Sequence, residues 1–176
     1  LVVDQIRQAS AWASIDDEPP LSVPQARAPT ASWRALKVVM VAVPMQHSDR
    51  IRDALEEKGI PADRGSWVLV ADQLKALLPL IGTSSIVSPT RKIGSEDSRL
   101  SLMPIILLAQ AQLLRGWDRT KGGDMLAAAR DMLLVDRFGQ QLVSGSQSQL
   151  MNAVGYSVQE MALKSLRQLL FVAHEP

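Results

Sequence analysis

The chain has 176 residues, a net charge of +1 and no cysteine. That length holds one domain with a substantial core, and the near-neutral charge gives no whole-molecule attraction to nucleic acid or anionic membrane. The lack of cysteine removes disulfides, thiolate metal sites and cysteine nucleophiles together, and no run of about eighteen apolar residues offers a membrane span.

Leu1 to Ile15 reads as a short amphipathic helix, with Val2, Val3, Ile6 and Ala13 roughly on one side and Trp12 near its end. Asp16, Asp17 and Glu18, followed by Pro19 and Pro20, stop it, because adjacent prolines disfavour helix at their own positions and at the one before. From there to Thr30 the chain reads as loop, punctuated by Pro24 and Pro29. The sequence opens at Leu1 without a Met, which leaves room for a signal or N-terminal anchor ahead of it.

Ser32 to Val43 carries competing signals. Ser32 suits an N-cap for a helix beginning at Trp33, whereas Val38, Val39, Val41 and Val43 favour a strand that would open a βαβ unit. Helix is preferred, since the only candidate second strand, Val68 to Val70, runs straight into a helical pattern. Pro44 ends this element. Ser48 then caps a helix through Lys58 with Ile51, Ala54 and Leu55 inward, and Gly59 and Pro61 are placed to stop it. Ser66 caps a longer helix from Trp67 to about Leu80, striped by Val70, Leu74, Leu77 and Leu78 and weakened near its end by Pro79. Residues 82–97 form a second long loop.

Ser98 begins the next helix. Leu102, Ile105, Ile106, Ala109, Leu113 and Leu114 face inward, and Leu107 and Leu108 widen the stripe enough to predict a central position. Pro104 fits if it lies in the first turn, and Gly116 closes the helix. The short link WDRTKGG predicts that the following helix packs back as an αα-hairpin. Gly123 to Val172 is the stretch on which the fold is organised. It reads as two helices or one long broken one, with Gly139 and Gly145 as candidate breaks and SGSQSQ, from Ser144, as the better turn. In its second half Leu150, Met151, Val154, Val158, Met161, Ala162, Leu166, Leu169 and Leu170 recur at steps of three and four, a stripe that needs a partner layer. The expected fold is all-α, with antiparallel helical hairpins in a bundle or tetratricopeptide-like array and two long Pro-rich loops. It forms one domain over 1–176: a short helix and loop in 1–31, the first helices in 32–81, and the central and C-terminal helices in 98–172.

From Trp67 onward the chain presents VADQLKALLPL, the loop at 82–97, LMPIILLAQAQLLRG, WDRTKGG and then MLAAARDMLLVDRFGQQLVSGSQSQLMNAVGYSVQEMALKSLRQLL. This order of features resembles an uncharacterised group of exported or membrane-anchored α-helical proteins of Gram-negative bacteria. The match is one of pattern over roughly the last two-thirds of the chain. The resemblance implies a helical fold and a place in the cell envelope or periplasm, with a cytoplasmic location left open, and it brings no activity with it.

Chemistry-bearing residues are sparse. The two histidines, His47 and His174, lie in different segments without metal-ligand spacing, so no metal or cofactor is expected. Ser66, Ser144, Ser146 and Ser148 read as caps and turn residues, and KGGD lacks the frame of a phosphate loop. Asp131 and Asp136 point to different faces of one helix. Asp136 shares its side with Met125, Met132 and Leu133, where a carboxyl either acts as a general acid or pairs with an arginine such as Arg137 or Arg115; the pairing is favoured. Trp12, Trp33, Trp67 and Trp117 lie near element boundaries, where core-edge packing is the default and anchoring of a partner the alternative. The expected function is a non-catalytic protein-interaction module, of accessory, chaperone-like or immunity type. A helical binder of small ligands or lipids, lined by some of the seven methionines, comes next, and an α/β enzyme resting on a strand at 36–43 comes last.

Overall fold

In the computed structural model, residues 28–56, 60–61, 63–83, 101–145 and 148–174 are described. They form six α-helices: α1 (Ala28–Val41), α2 (Ser48–Glu56), α3 (Ala71–Thr83), α4 (Met103–Thr120), α5 (Met125–Ser144) and α6 (Gln149–His174). Two 3-10 segments, Met45–His47 and Arg64–Val70, precede α2 and α3, and there is no strand among the described residues. The expected helix over Leu1 to Ile15, with Trp12, lies outside them, as do Gly59 and Ser98.

The valine-rich stretch is helical. Its β-branched residues divide between faces: Val39 and Val43 are buried with Trp33, Leu36 and Met40, whereas Val38 and Val41 point outward. Packing of one face outweighs the modest intrinsic preference of valine for strands. The helix begins at Ala28 rather than after Ser32, so the loop expected through Thr30 ends earlier. Pro29 sits in the first turn, where the missing N–H leaves no helical bond unmade.

Ser66 does not cap a helix. It lies inside the 3-10 segment, is buried, and its hydroxyl donates to the Asp63 carboxylate. The α-helix starts only at Ala71 and carries Leu74, Leu77 and Ile81 into the core before reaching Thr83, inside the span expected as loop.

The central position expected for α4 is observed. Every other α-helix and the Arg64–Val70 segment touches it, and Ile105, Leu108, Leu113, Leu114 and Trp117 are wholly buried. Pro104 falls in its first turn. Gly116 does not close it. That residue is an internal point of close approach, where an added Cβ would lie 3.1 Å from the Ala128 carbonyl oxygen of α5. The helix ends instead at Thr120, and the turn after it closes on Gly123, the one described residue with a left-handed φ, at +76°. Its N–H donates to the Thr120 carbonyl (3.1 Å) and the Asp124 N–H to the Arg119 carbonyl (3.2 Å), which satisfies the last free carbonyls. Asp124 then caps α5 by accepting from the Ala127 N–H at 2.9 Å. Four residues thus end one helix and start the next, and α4 and α5 pack against each other.

The long C-terminal stretch is two helices, and the break lies after Ser144, at Gly145. Gly139 breaks nothing. It is buried against Gly155 of α6, and the two backbones come so close that a Cβ at either residue would meet the other's carbonyl oxygen at 2.7–2.9 Å. Buried apolar side chains from all six helices form one cluster, and Met40, Met132 and Met151 fill it with the rest.

Candidate interaction face and a buried ion cluster

α6 turns two different faces to its surroundings. Met151, Gly155, Val158, Ala162, Ser165 and Leu169 are buried, a run of alternating steps of four and three. They lie against α5, the most extensive helix contact in the fold. The opposite side repeats the same spacing with Tyr156, Glu160, Leu163, Arg167, Leu170 and His174. Tyr156 is 60% exposed, Leu163 58% and Leu170 37%, with Phe171 beside them at 67%. Isolated exposed apolar residues are ordinary; four on one side of one helix make a patch. Glu160, Lys164 and Arg167 border it, together with Gln159, around a shallow depression between the side chains. None of these three charged groups forms an ion pair among the described residues. Leu150 and Leu170, assigned from the sequence to the packed stripe, are exposed, while Gly155 and Ser165, which carry no apolar signal, are buried.

The second feature ties α4 to α5 and to the Arg64–Val70 segment. Asp131 is buried on α5 and faces two arginines of α4, with Arg119 Nε 2.7 Å and Arg115 Nε 3.5 Å from its Oδ2. Burial pushes its carboxyl above the ordinary Asp value, and the two guanidiniums pull it back only in part. The Gln112 amide approaches the same carboxyl and also lowers its proton affinity, with a geometry short of a well-formed hydrogen bond. Arg115 stacks on Trp67, its guanidinium carbon 5.8 Å from the ring centroid. The Trp67 indole N–H donates to Asp118 at 3.2 Å. Asp118 pairs with Lys121 at 2.8 Å, and the Lys121 and Trp67 contacts hold its carboxyl below the usual range. Arg64 completes the lock by donating to the Thr120 hydroxyl at 2.9 Å and to the Pro61 carbonyl at 3.1 Å. The Asp131–Arg119, Trp67–Asp118 and Arg64–Thr120 contacts each join two elements of the fold, so the chemistry of the cluster is that of a clamp.

The tryptophans divide by this geometry. Trp33 and Trp117 are core residues, Trp67 is half-buried in the clamp, and Trp12 lies outside the described residues. Asp136, the carboxyl marked by its apolar neighbours, is half-buried and accepts from Gln140 at 2.7 Å. Burial raises its pKa, with that hydrogen bond opposing. Arg115, offered as its partner, pairs with Asp131 instead. His47 belongs to the first 3-10 segment and His174 to the end of α6. The signal that would have located the clamp is Arg115 and Arg119 four residues apart on one helix face opposite Asp131, given the short turn between their helices. Compared with family models, with curated proteins and with solved structures, the chain matches none, so its own geometry must carry the functional reading.

Proposed function

We propose that this chain is a non-catalytic protein-interaction module, a stack of antiparallel helical hairpins that presents the outer face of α6 to another protein. The observation that carries the reading is the exposure of Tyr156, Leu163 and Phe171 on one side of a helix whose other side is fixed in the core. Large apolar and aromatic side chains bordered by charge are what binding faces present. The strand at 36–43 on which the α/β enzyme alternative rested is not formed, since residues 36–41 are helical. The same proposal includes an accessory, chaperone-like or immunity role, argued from the chain's size and its sparse chemistry-bearing residues, and a place in the bacterial cell envelope, argued from the pattern resemblance.

The test is affinity capture with the full chain, wild type against Leu163→Glu. Leu163 is exposed, so a charge there leaves the core intact, and circular dichroism checks that it does. A protein retained in stoichiometric amount by the wild type and released by the variant supports the reading. Recovery of no stoichiometric partner, a second copy of the chain included, overturns it.

A further inference from the structure

The residues on the outer face of α6 are arranged so that the face complements its own reverse. We propose that it pairs antiparallel with the same face of a second copy of this chain, about a twofold axis at Leu163. The inference rests on the reading of α6 as the interaction surface and names the occupant.

Tyr156 lies seven residues before Leu163 and Leu170 seven after it. Reversing the helix about Leu163 therefore sets Tyr156 against Leu170 of the copy and Leu163 against itself. Phe171, more exposed still, extends the apolar contact beside Tyr156. Glu160 lies three residues before the axis and Arg167 four after it, so each Glu160 falls one residue, about 1.5 Å along the helix, from the position facing the copy's Arg167, within reach of its long side chain. Two such pairs form per dimer, as an isologous interface requires. Neither charge has an ion-pair partner among the described residues of its own chain. A parallel pairing would set Glu160 on Glu160 and Arg167 on Arg167, and like charges directly opposed are repulsive. Tyr156, Leu163 and Leu170 recur every seven residues, which keeps one apolar position per heptad in register along a left-handed pair, with Glu160, Arg167 and His174 at the alternate position. The contact is small. From Ala153 to His174 a helix runs about 33 Å, which places the interface at the weak end of specific association and the dimer in reversible, micromolar equilibrium.

Sedimentation of the full chain from low to high micromolar concentration is expected to show a monomer–dimer equilibrium, and Leu163→Glu a monomer with an unchanged helical spectrum. Glu160→Arg alone and Arg167→Glu alone each turn two attractions into two repulsions and weaken association about tenfold, and the double exchange restores it. Because the chain has no cysteine, Leu163→Cys gives a disulfide-linked dimer on oxidation. Tyr156→Cys does not, since its two copies stand about 21 Å apart along the paired helices. A monomer at the highest concentration, failure of the double exchange to restore association, or Tyr156→Cys linking as readily as Leu163→Cys overturns the proposal. Capture of a different protein through the same face, with the chain itself monomeric, would sink the twofold pairing and leave the interaction reading standing.

Discussion

Gly139→Ala puts two effects in opposition, and the structure decides between them. In a helix interior the change gains about 1 kcal/mol of intrinsic propensity. Against this, the new Cβ would lie 2.7 Å from the Gly155 carbonyl oxygen, 2.7 Å from Gln159 Cγ and 3.0 Å from the Gln159 backbone nitrogen. The Gln159 side chain can swing away; the two backbone atoms cannot. α5 and α6 must therefore separate, which loosens Phe138 and Leu142 on one helix and Met151 and Val158 on the other, all buried. Overpacking of this kind costs up to about 3 kcal/mol, so the net expected loss is about 2 kcal/mol. At 2–4 °C per kcal/mol for a chain of this size, Tm should fall by about 4–8 °C. Gly116→Ala, whose nearest contact is 3.1 Å, should lose less, and Gly65→Ala, with nothing within 4 Å, should lose nothing. Thermal melts followed at the helical dichroism band give the order directly. A Gly139→Ala protein as stable as the wild type would mean that the two backbones are not in contact, and would refute the close approach of α5 and α6.

Two further predictions concern the clamp. Arg119→Met leaves the Asp131 carboxylate buried with only the longer contact to Arg115. Breaking one partner of a buried pair costs about 3–5 kcal/mol, and the partial exposure of Arg119 brings the expectation to about 2–3 kcal/mol by urea unfolding. Asp131 also gives a signed pH dependence. Its pKa is raised on folding, so the native state holds the extra proton and stability falls as pH rises from the ordinary value of 3.8 through the folded value. Asp63 and Asp118, both lowered, act oppositely, contributing stability that is lost as pH falls below 3.8. The wild-type stability minus that of Asp131→Asn isolates the first term. It should decrease as pH rises through that window, and a difference that is flat or increasing would refute the assignment.

Much of the helical layout is visible in the sequence, because periodic burial and proline punctuation are local signals. The near-continuous apolar run Ile105 to Leu108 can be satisfied only by burial on most sides, and α4 is so buried. The misplaced boundaries come from residues with two uses. Ser66 has the side chain of a cap but spends its hydroxyl on Asp63, and Gly116 and Gly139 resemble terminators but serve as contacts. A glycine's role depends on what stands opposite its missing side chain, and that belongs to the tertiary fold. The clamp eluded single-helix reasoning for the same reason: Asp131 meets Arg119 across the turn formed by Gly123 and Asp124.

The outer face of α6 was hidden in plain view by a pattern that fits two registers at once. The buried run from Met151 to Leu169 and the exposed run from Tyr156 to His174 have the same alternation of four and three, offset by five residues, or about 140° around the helix. Read as one stripe, the two runs merge into a single broad apolar side that takes in Leu170, which is 37% exposed. A run taken five residues on from a buried one repeats its spacing automatically. What the outer side adds is chemistry: Tyr156, Leu163 and Leu170, seven residues apart, are apolar and exposed, with Phe171 beside them. Among the described residues α5 and α4 cover the inner side, while Tyr156, Leu163 and Phe171 on the outer side stay exposed.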